Sequence, residues 1–270
     1  MDKNDFALFY NSQSDYEEFR NDPAKREYYS IIADWKVRKL IQLLPPGFIA
    51  DNILEVGCAF GVLLNNIADR LHLESRTGVD ISSKNIDVAK SLYPKCNFFL
   101  GTFEEFSKFN SDKNRRIHYD IIVLSDIVEH IPDDLEFLRI ANKSCTYVLL
   151  NLPLEKSFIT RNRKYGEDDH SGHLRSYDEK DAVQLVKRAR FEIINSFTEI
   201  AFSDKEVYAV SIKNRRLRVR AKSLLRRIFW SVFYSIEDVL KLINKRLSER
   251  IFGTNYFALL KSNNNYEGQS

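Results

Sequence analysis

Glu55-Val56-Gly57-Cys58-Ala59-Phe60-Gly61 sets an acid and two glycines between an apolar run (Ile53, Leu54) and an amphipathic one beginning at Val62. That order reads as strand, tight turn, helix. Glycine lets a backbone come close to a ligand, and a helix N-terminus offers N–H groups without partners. Nineteen residues past Gly61, Asp80 ends a second short apolar segment, Thr77-Gly78-Val79-Asp80. A carboxylate at the end of the second strand is placed to accept hydrogen bonds from ribose hydroxyls. These residues point to a nucleoside-bearing cofactor. Ala59 stands where a dinucleotide fingerprint needs its middle glycine, the point at which a pyrophosphate presses on the backbone.

Two other groups carry proton chemistry. Ser125-Asp126 ends the apolar run 119–125, and Glu129-His130 follows directly. The segment 165–177 crowds His170, His173, Arg175 and Tyr177 together with Asp168 and Asp169. A histidine takes a proton from a substrate hydroxyl near working pH, which makes His130 and His173 the catalytic candidates. His170, Arg175 and Tyr177 are candidates for substrate contact, with Arg175 suited to an anion. The competing reading is a loop lock, in which His173 and Arg175 tie the loop to the next helix and Asp178 caps it. No metal site is assigned, because Asp168, Asp169 and His170 match no known ligand pattern.

Alternating elements must position these groups. Apolar spacing predicts helices at 23–44, 62–71, 84–92, 102–109, 134–141 and 179–190. Strands are predicted at 52–56, 76–80, 97–100, 119–125 and 146–152, with β-rich stretches at 192–202 and 206–212. A helical cassette at 215–249 and a strand at 255–261 close the pattern. This is the α/β alternation of a doubly wound parallel sheet. Residues 1–23 read as a loose cap or short helix.

The 270 residues suit one α/β domain with additions. Three cysteines without a C-x-x-C pair favour a reducing compartment. The start, Met1-Asp2-Lys3-Asn4-Asp5, is unlike a signal peptide, and a cytoplasmic location is expected. Net charge is +3, but the basic residues are unevenly spread. Residues 205–250 hold 13 basic and 4 acidic side chains, leaving 28 and 34 elsewhere. Within 213–227 there are eight Lys/Arg and no acid, and from its end onward Leu224, Leu225, Ile228, Phe229, Val232, Ile236, Val239 and Ile243 recur at helical spacing. A basic amphipathic helix fits an anionic membrane surface at the inner face. A lid over the site or a homodimer contact fits the same pattern. Nucleic acid fits it less well, because the most basic part lacks interleaved aromatics.

The E-x-G-C-x-x-G run resembles motif I of class I S-adenosylmethionine (SAM) dependent methyltransferases. The resemblance continues in order through Gly78-Val79-Asp80-Ile81-Ser82, Gly101-Thr102-Phe103-Glu104 and 119–132, over roughly residues 50–200. The last block is similar to the small-molecule branch, which holds ubiquinone-biosynthesis O-methyltransferases and bacterial sugar and natural-product methyltransferases. The resemblance implies that SAM is the cofactor, with Glu55, Gly57 and Gly61 near its methionine end. It places Asp80 on the ribose, Ile81, Thr102 and Phe103 around adenine, and Ser125 on the cofactor as well. Thr102 stands where the family often has an acid. The His-Leu-Arg-x-Tyr piece at 173–177 is similar to one that precedes the last helix in this branch. Amino-methylating nucleic-acid enzymes carry an N/D-P-P-aromatic motif, which Asn151-Leu152-Pro153 does not supply.

The implied architecture is a Rossmann-like doubly wound sheet with a C-terminal antiparallel hairpin and a helical insertion before the last strand. Its parts are an N-terminal helical cap at 1–48, a SAM-binding core at 49–204, the basic insertion at 205–253, the last core strand at 254–262 and a disordered tail at 263–270. The implied activity is methyl transfer to a small polar acceptor, by O-methylation of a sugar or lipid-linked metabolite. The alternatives are an RNA or protein methyltransferase gripping its partner through the cassette, and a SAM-binding subunit without turnover.

Overall fold

Seven strands form one sheet: β1 (Asn52–Val56), β2 (Ser75–Asp80), β3 (Asn97–Leu100), β4 (Tyr119–Ser125), β5 (Cys145–Leu154), β6 (Phe191–Glu199) and β7 (Thr254–Ser262). The computed structural model describes residues 3–12, 14–112, 118–166, 169–201, 204–220 and 224–263. The strand order is β3-β2-β1-β4-β5-β7-β6. β1 to β5 pair in parallel, while β7 runs antiparallel between β5 and β6. The continuous apolar run Ile121–Leu124 is buried because β4 is covered on both faces.

Helices fill both faces. On one side α3 (Pro23–Ile41) and α4 (Val62–Arg70) pack Trp35, Leu40 and Leu64 against Ile53, Ile121 and Phe257. On the other, α6 (Phe103–Asp112), α7 (Asp134–Ser144) and α8 (Glu179–Arg188) cover Leu54, Ile122 and Tyr256. α5 (Ser83–Leu92) follows β2 at the sheet end. Of the loose cap or short helix expected at the N-terminus, the structure has two helices, α1 (Lys3–Ser12) and α2 (Ser14–Asn21).

The expected C-terminal antiparallel hairpin is present, with β6 and β7 paired from Glu192↔Lys261 to Glu199↔Asn255. Between these strands lie α9 (Lys205–Arg220), α10 (Leu224–Ile243) and α11 (Lys245–Phe252), so the cassette is an insertion before the last strand. The predicted β-rich stretch 206–212 is instead the start of α9. Its alternation misled, because the burial follows the helical period: Val207 and Ser211, four apart, are the two buried positions. Asp204 starts the helix by accepting from Glu206 N at 3.0 Å and Val207 N at 3.2 Å. Val207→Ala is expected to cost about 2 kcal/mol in denaturant unfolding, since its two methyls lie in the α3 side of the core. The segment read as a disordered tail falls, from residue 264 onward, outside the described residues.

Candidate active site

Gly57 and Gly61 both sit at φ +74°, and Ala59 between them at +43°. This left-handed turn folds back on β2, where Gly57 N and Cys58 N donate to Val79 O at 2.8 and 3.1 Å. A Cβ on Gly57 would lie 2.8 Å from Ile127 Cδ1, and one on Gly61 2.8 Å from Phe98 Cζ. Glycine is therefore required twice over, by torsion and by space. Glu55 is buried below the turn and accepts from Leu64 N at 2.9 Å, pinning the first turn of α4. Burial pushes its carboxyl pKa well up. Its place is under the loop rather than in the cleft wall.

Asp80 joins the turn to the next helix, accepting from Ala59 N and Ser82 N, each at 2.8 Å. Burial raises its pKa to about 6 against these hydrogen bonds, which act to lower it. It faces a cleft of about 280 Å³ whose walls include Gly57, Ile81, Thr102, Phe103, Glu104 and His130. Thr102 and Glu105 form a reciprocal cap on α6, with Thr102 N to Glu105 Oε2 at 3.0 Å and Glu105 N to Thr102 Oγ1 at 3.2 Å. Ser125 lies beside the cleft wall, its hydroxyl taken by Asn151 Nδ2 at 3.0 Å.

The next residue, Asp126, adopts φ +49°, a left-handed conformation held only by surrounding bonds. Its N–H donates to Asn151 O at 3.1 Å, Asn151 Nδ2 reaches Oδ1 at 3.0 Å, and the Lys36 ammonium pairs with Oδ2. The cleft wall continues to His130, whose Nδ1 lies 2.9 Å from Gly172 O and 2.8 Å from Tyr10 Oη. A carbonyl only accepts, so Nδ1 carries the proton and Nε2 the lone pair. Burial, with His173 adding to it, lowers the His130 pKa to about 4, and the ring is neutral. Glu129 is buried, and neither of its carboxylate oxygens has a hydrogen-bond partner among the described residues. Burial, then the neighbouring Asp126 charge, pushes its pKa well up.

His173 meets His130 edge-on, with ring centroids 4.7 Å apart, although 43 residues separate them in the chain. Its Nδ1 lies 2.7 Å from Glu155 Oε2, and Glu155 in turn holds Arg163 Nη1 at 2.9 Å. Arg163 forks onto buried Asp169 with two bonds of 2.7 Å. Arg175 pairs with Asp134 at 2.8 Å and donates to Pro132 O at 2.6 Å. The Tyr177 hydroxyl donates to the same Asp134 at 2.6 Å. Arg175 and Tyr177 thus fasten the loop to the start of α7, and neither is among the residues that line the cleft. His170 is exposed, 3.3 Å from the Ser171 hydroxyl. Asp168 lies outside the described residues.

Sequence reasoning missed the roof. Phe6, Tyr10 and Tyr16 of α1 and α2 line the cleft. Phe19 stacks on Phe60 at 3.8 Å between centroids, and Asn11 Oδ1 accepts from the Ser82 hydroxyl at 2.7 Å. The aromatics at Phe9, Tyr10, Tyr16 and Phe19 were the available signal, in a segment otherwise too polar to read as packed. Lys36 and Asn151 carried no signal, because each acts through a partner far along the chain.

A sheet of this order, with a glycine turn and a strand-end acid at its carboxyl edge, defines a Rossmann-like class I SAM-dependent methyltransferase. The family described as methyltransferase domain matches residues 25–196, and the chain belongs to it. Among solved structures, magnesium protoporphyrin IX methyltransferase from Synechocystis PCC 6803 with bound SAH is 13% identical, with a TM-score of 0.58. That alignment covers 97% of this chain and 100% of the other. The cyclopropane synthase MmaA2 from Mycobacterium tuberculosis is 13% identical at a TM-score of 0.52, covering 85% and 82% of the two chains. Both likenesses are of fold. A nonribosomal peptide synthetase from Curvularia clavata is 25% identical over 127 residues, which are 44% of this chain. The match spans only 1% of the length of that curated relative.

Proposed function

We propose that this enzyme transfers the methyl group of SAM to a hydroxyl of a small polar acceptor carried on, or near, an anionic membrane surface. The observation that carries the reading is the cleft itself, whose walls hold both the carboxylate of Asp80 and neutral His130. Asp80 would hold the ribose and Ile81, Thr102 and Phe103 the adenine, with Gly57 and Gly61 leaving room for the methionine part. Glu55 supports that loop from below. The sulfonium is already activated, so the protein's task is to align acceptor oxygen, methyl carbon and sulfur and to exclude water. As the oxygen attacks, the S–CH₃ bond breaks and its electron pair stays on sulfur. The hydroxyl proton leaves toward the His130–His173 face. The roof of α1 and α2 supports the exclusion of water.

The surface part of the proposal rests on α10. Leu224, Leu225, Ile228, Phe229, Ile236 and Ile243 are all more than half exposed, an apolar row beside the most basic stretch of the chain. Among the described residues no helix is long and apolar enough to cross a membrane. An amphipathic helix of this kind lies in the interface, and each Lys or Arg near anionic lipid contributes on the order of 1 kcal/mol. Sedimentation with phosphatidylglycerol vesicles is expected to bring the protein down, and the Ile228→Asp/Phe229→Asp variant to leave it in solution. Neutral phosphatidylcholine vesicles are expected to bind far less. A protein that ignores both vesicle types would return α10 to the role of lid or dimer contact. Transfer of tritiated methyl from SAM, offered sugars, quinols and lipid-linked acceptors in turn, tests the acceptor class. Labelling of amines or RNA alone would overturn the hydroxyl assignment.

A further inference from the structure

We propose that Glu129, His130 and His173 form a binding site for one divalent transition-metal ion at the acceptor end of the cleft. One ligand atom from each residue lies within 4.8 Å of the others. Both imidazoles are fixed through the same nitrogen: Nδ1 of His130 by Gly172 O, and Nδ1 of His173 by the Glu155 carboxylate. That leaves Nε2 of each ring as the ligating atom. Carboxylate or carbonyl partners on the far nitrogen are the arrangement that orients metal-bound histidines and raises their basicity. Glu155 is itself fixed by Arg163, which Asp169 holds in turn.

The third ligand supplies an independent observation. The Glu129 side chain is 1% exposed, and neither carboxylate oxygen has a hydrogen-bond partner among the described residues. His130 Nε2 lies 3.7 Å from its Oε1. A buried carboxylate without a partner is costly, and ionised it must be paired or coordinate a cation. A cation between these three groups satisfies all of them. Two imidazoles and one carboxylate suit zinc, manganese or ferrous iron, with an open position remaining for a substrate oxygen. The His130–His173 edge contact and the Asp169-centred loop thereby acquire one purpose, bringing His173 to a residue 43 positions earlier.

The consequence for catalysis rests on the methyltransferase reading. An acceptor hydroxyl at the open position would lose its proton to solvent as its pKa falls, and the coordinated oxygen would then take the methyl group as sulfur keeps the S–C electron pair. Both histidines would then be ligands, and direct proton acceptance by His130 would apply only to the metal-free enzyme.

The test uses tag-free, chelator-stripped full-length protein titrated with cobalt(II) and followed by visible absorption. One cobalt per chain in the micromolar range is expected, with d–d bands of a four- or five-coordinate nitrogen/oxygen site. Glu129→Gln and His173→Ala are expected to remove the bands. Glu155→Gln is expected to weaken binding by about tenfold to a hundredfold, as loss of an outer partner does. His170→Ala is expected to retain them. SAM titration of the same samples reports folding and keeps the two readings apart: SAM binding without cobalt binding overturns the metal site alone. Cobalt bands unchanged in both Glu129→Gln and His173→Ala also overturn it.

Discussion

Asp80→Ala is expected to weaken SAM binding by a factor of about 10²–10⁴ in calorimetric titration, because the proposed site would lose two hydrogen bonds from ribose hydroxyls to a carboxylate. The same substitution frees Ala59 N and Ser82 N, which hold the glycine turn and the start of α5. Binding should also carry a pH signature. Burial puts the Asp80 carboxyl of the empty protein at about 6, and in the proposed site the ribose hydroxyls would donate to its ionised form. SAM affinity is therefore level at higher pH and falls as the pH drops through about 6. Stability has the opposite sign. With a folded pKa above the unfolded one, Asp80 contributes stability that is fully present below the ordinary carboxylate pKa and lost as pH rises through about 6. Bound SAM restores it, so the melting-temperature gain on adding SAM is larger at pH 8 than at pH 5. An affinity that ignores both the substitution and the pH would remove Asp80 from the cofactor site.

His130→Gln is expected to lower kcat by about 10² while SAM binding persists, the low end of the range for a positioned proton acceptor, because a ring titrating near 4 is a weak base at assay pH. Loss of a metal ligand would produce a comparable fall, and cobalt content separates the two. Because burial and His173 hold the His130 pKa down to about 4, the ring is neutral throughout the ordinary assay range. An acid limb near pH 6 in kcat/KM therefore reports Asp80 and not His130. With a folded pKa below the unfolded one, His130 contributes stability present above the ordinary histidine pKa and lost as pH falls through about 4. Unchanged turnover in His130→Gln would move the acceptor face elsewhere in the cleft.

The sequence alone determined the class of fold, the glycine turn after the first strand and the acid that ends the second. Local rules suffice there: Gly57 and Gly61 are set by a turn that lies within seven residues, and Asp80 follows from where an apolar run stops. The insertion before β7 was legible too, since the run 256–260 is apolar enough to require a central strand. The stretch 206–212 was not legible, because seven residues with both β-branched and alternating character fit either period until a core face selects one. Only the tertiary structure decided the cluster around His130. His130 and His173 meet across a loop, Glu129 is stranded without a partner among the described residues, and Lys36 reaches Asp126 from a helix 90 residues earlier. Arg175 and Tyr177, which read as substrate contacts, instead close on Asp134. The physical reason is common to all of them. A backbone turn is specified by the torsions of its own residues, whereas a side-chain cluster exists only after the sheet has brought distant segments to its carboxyl edge.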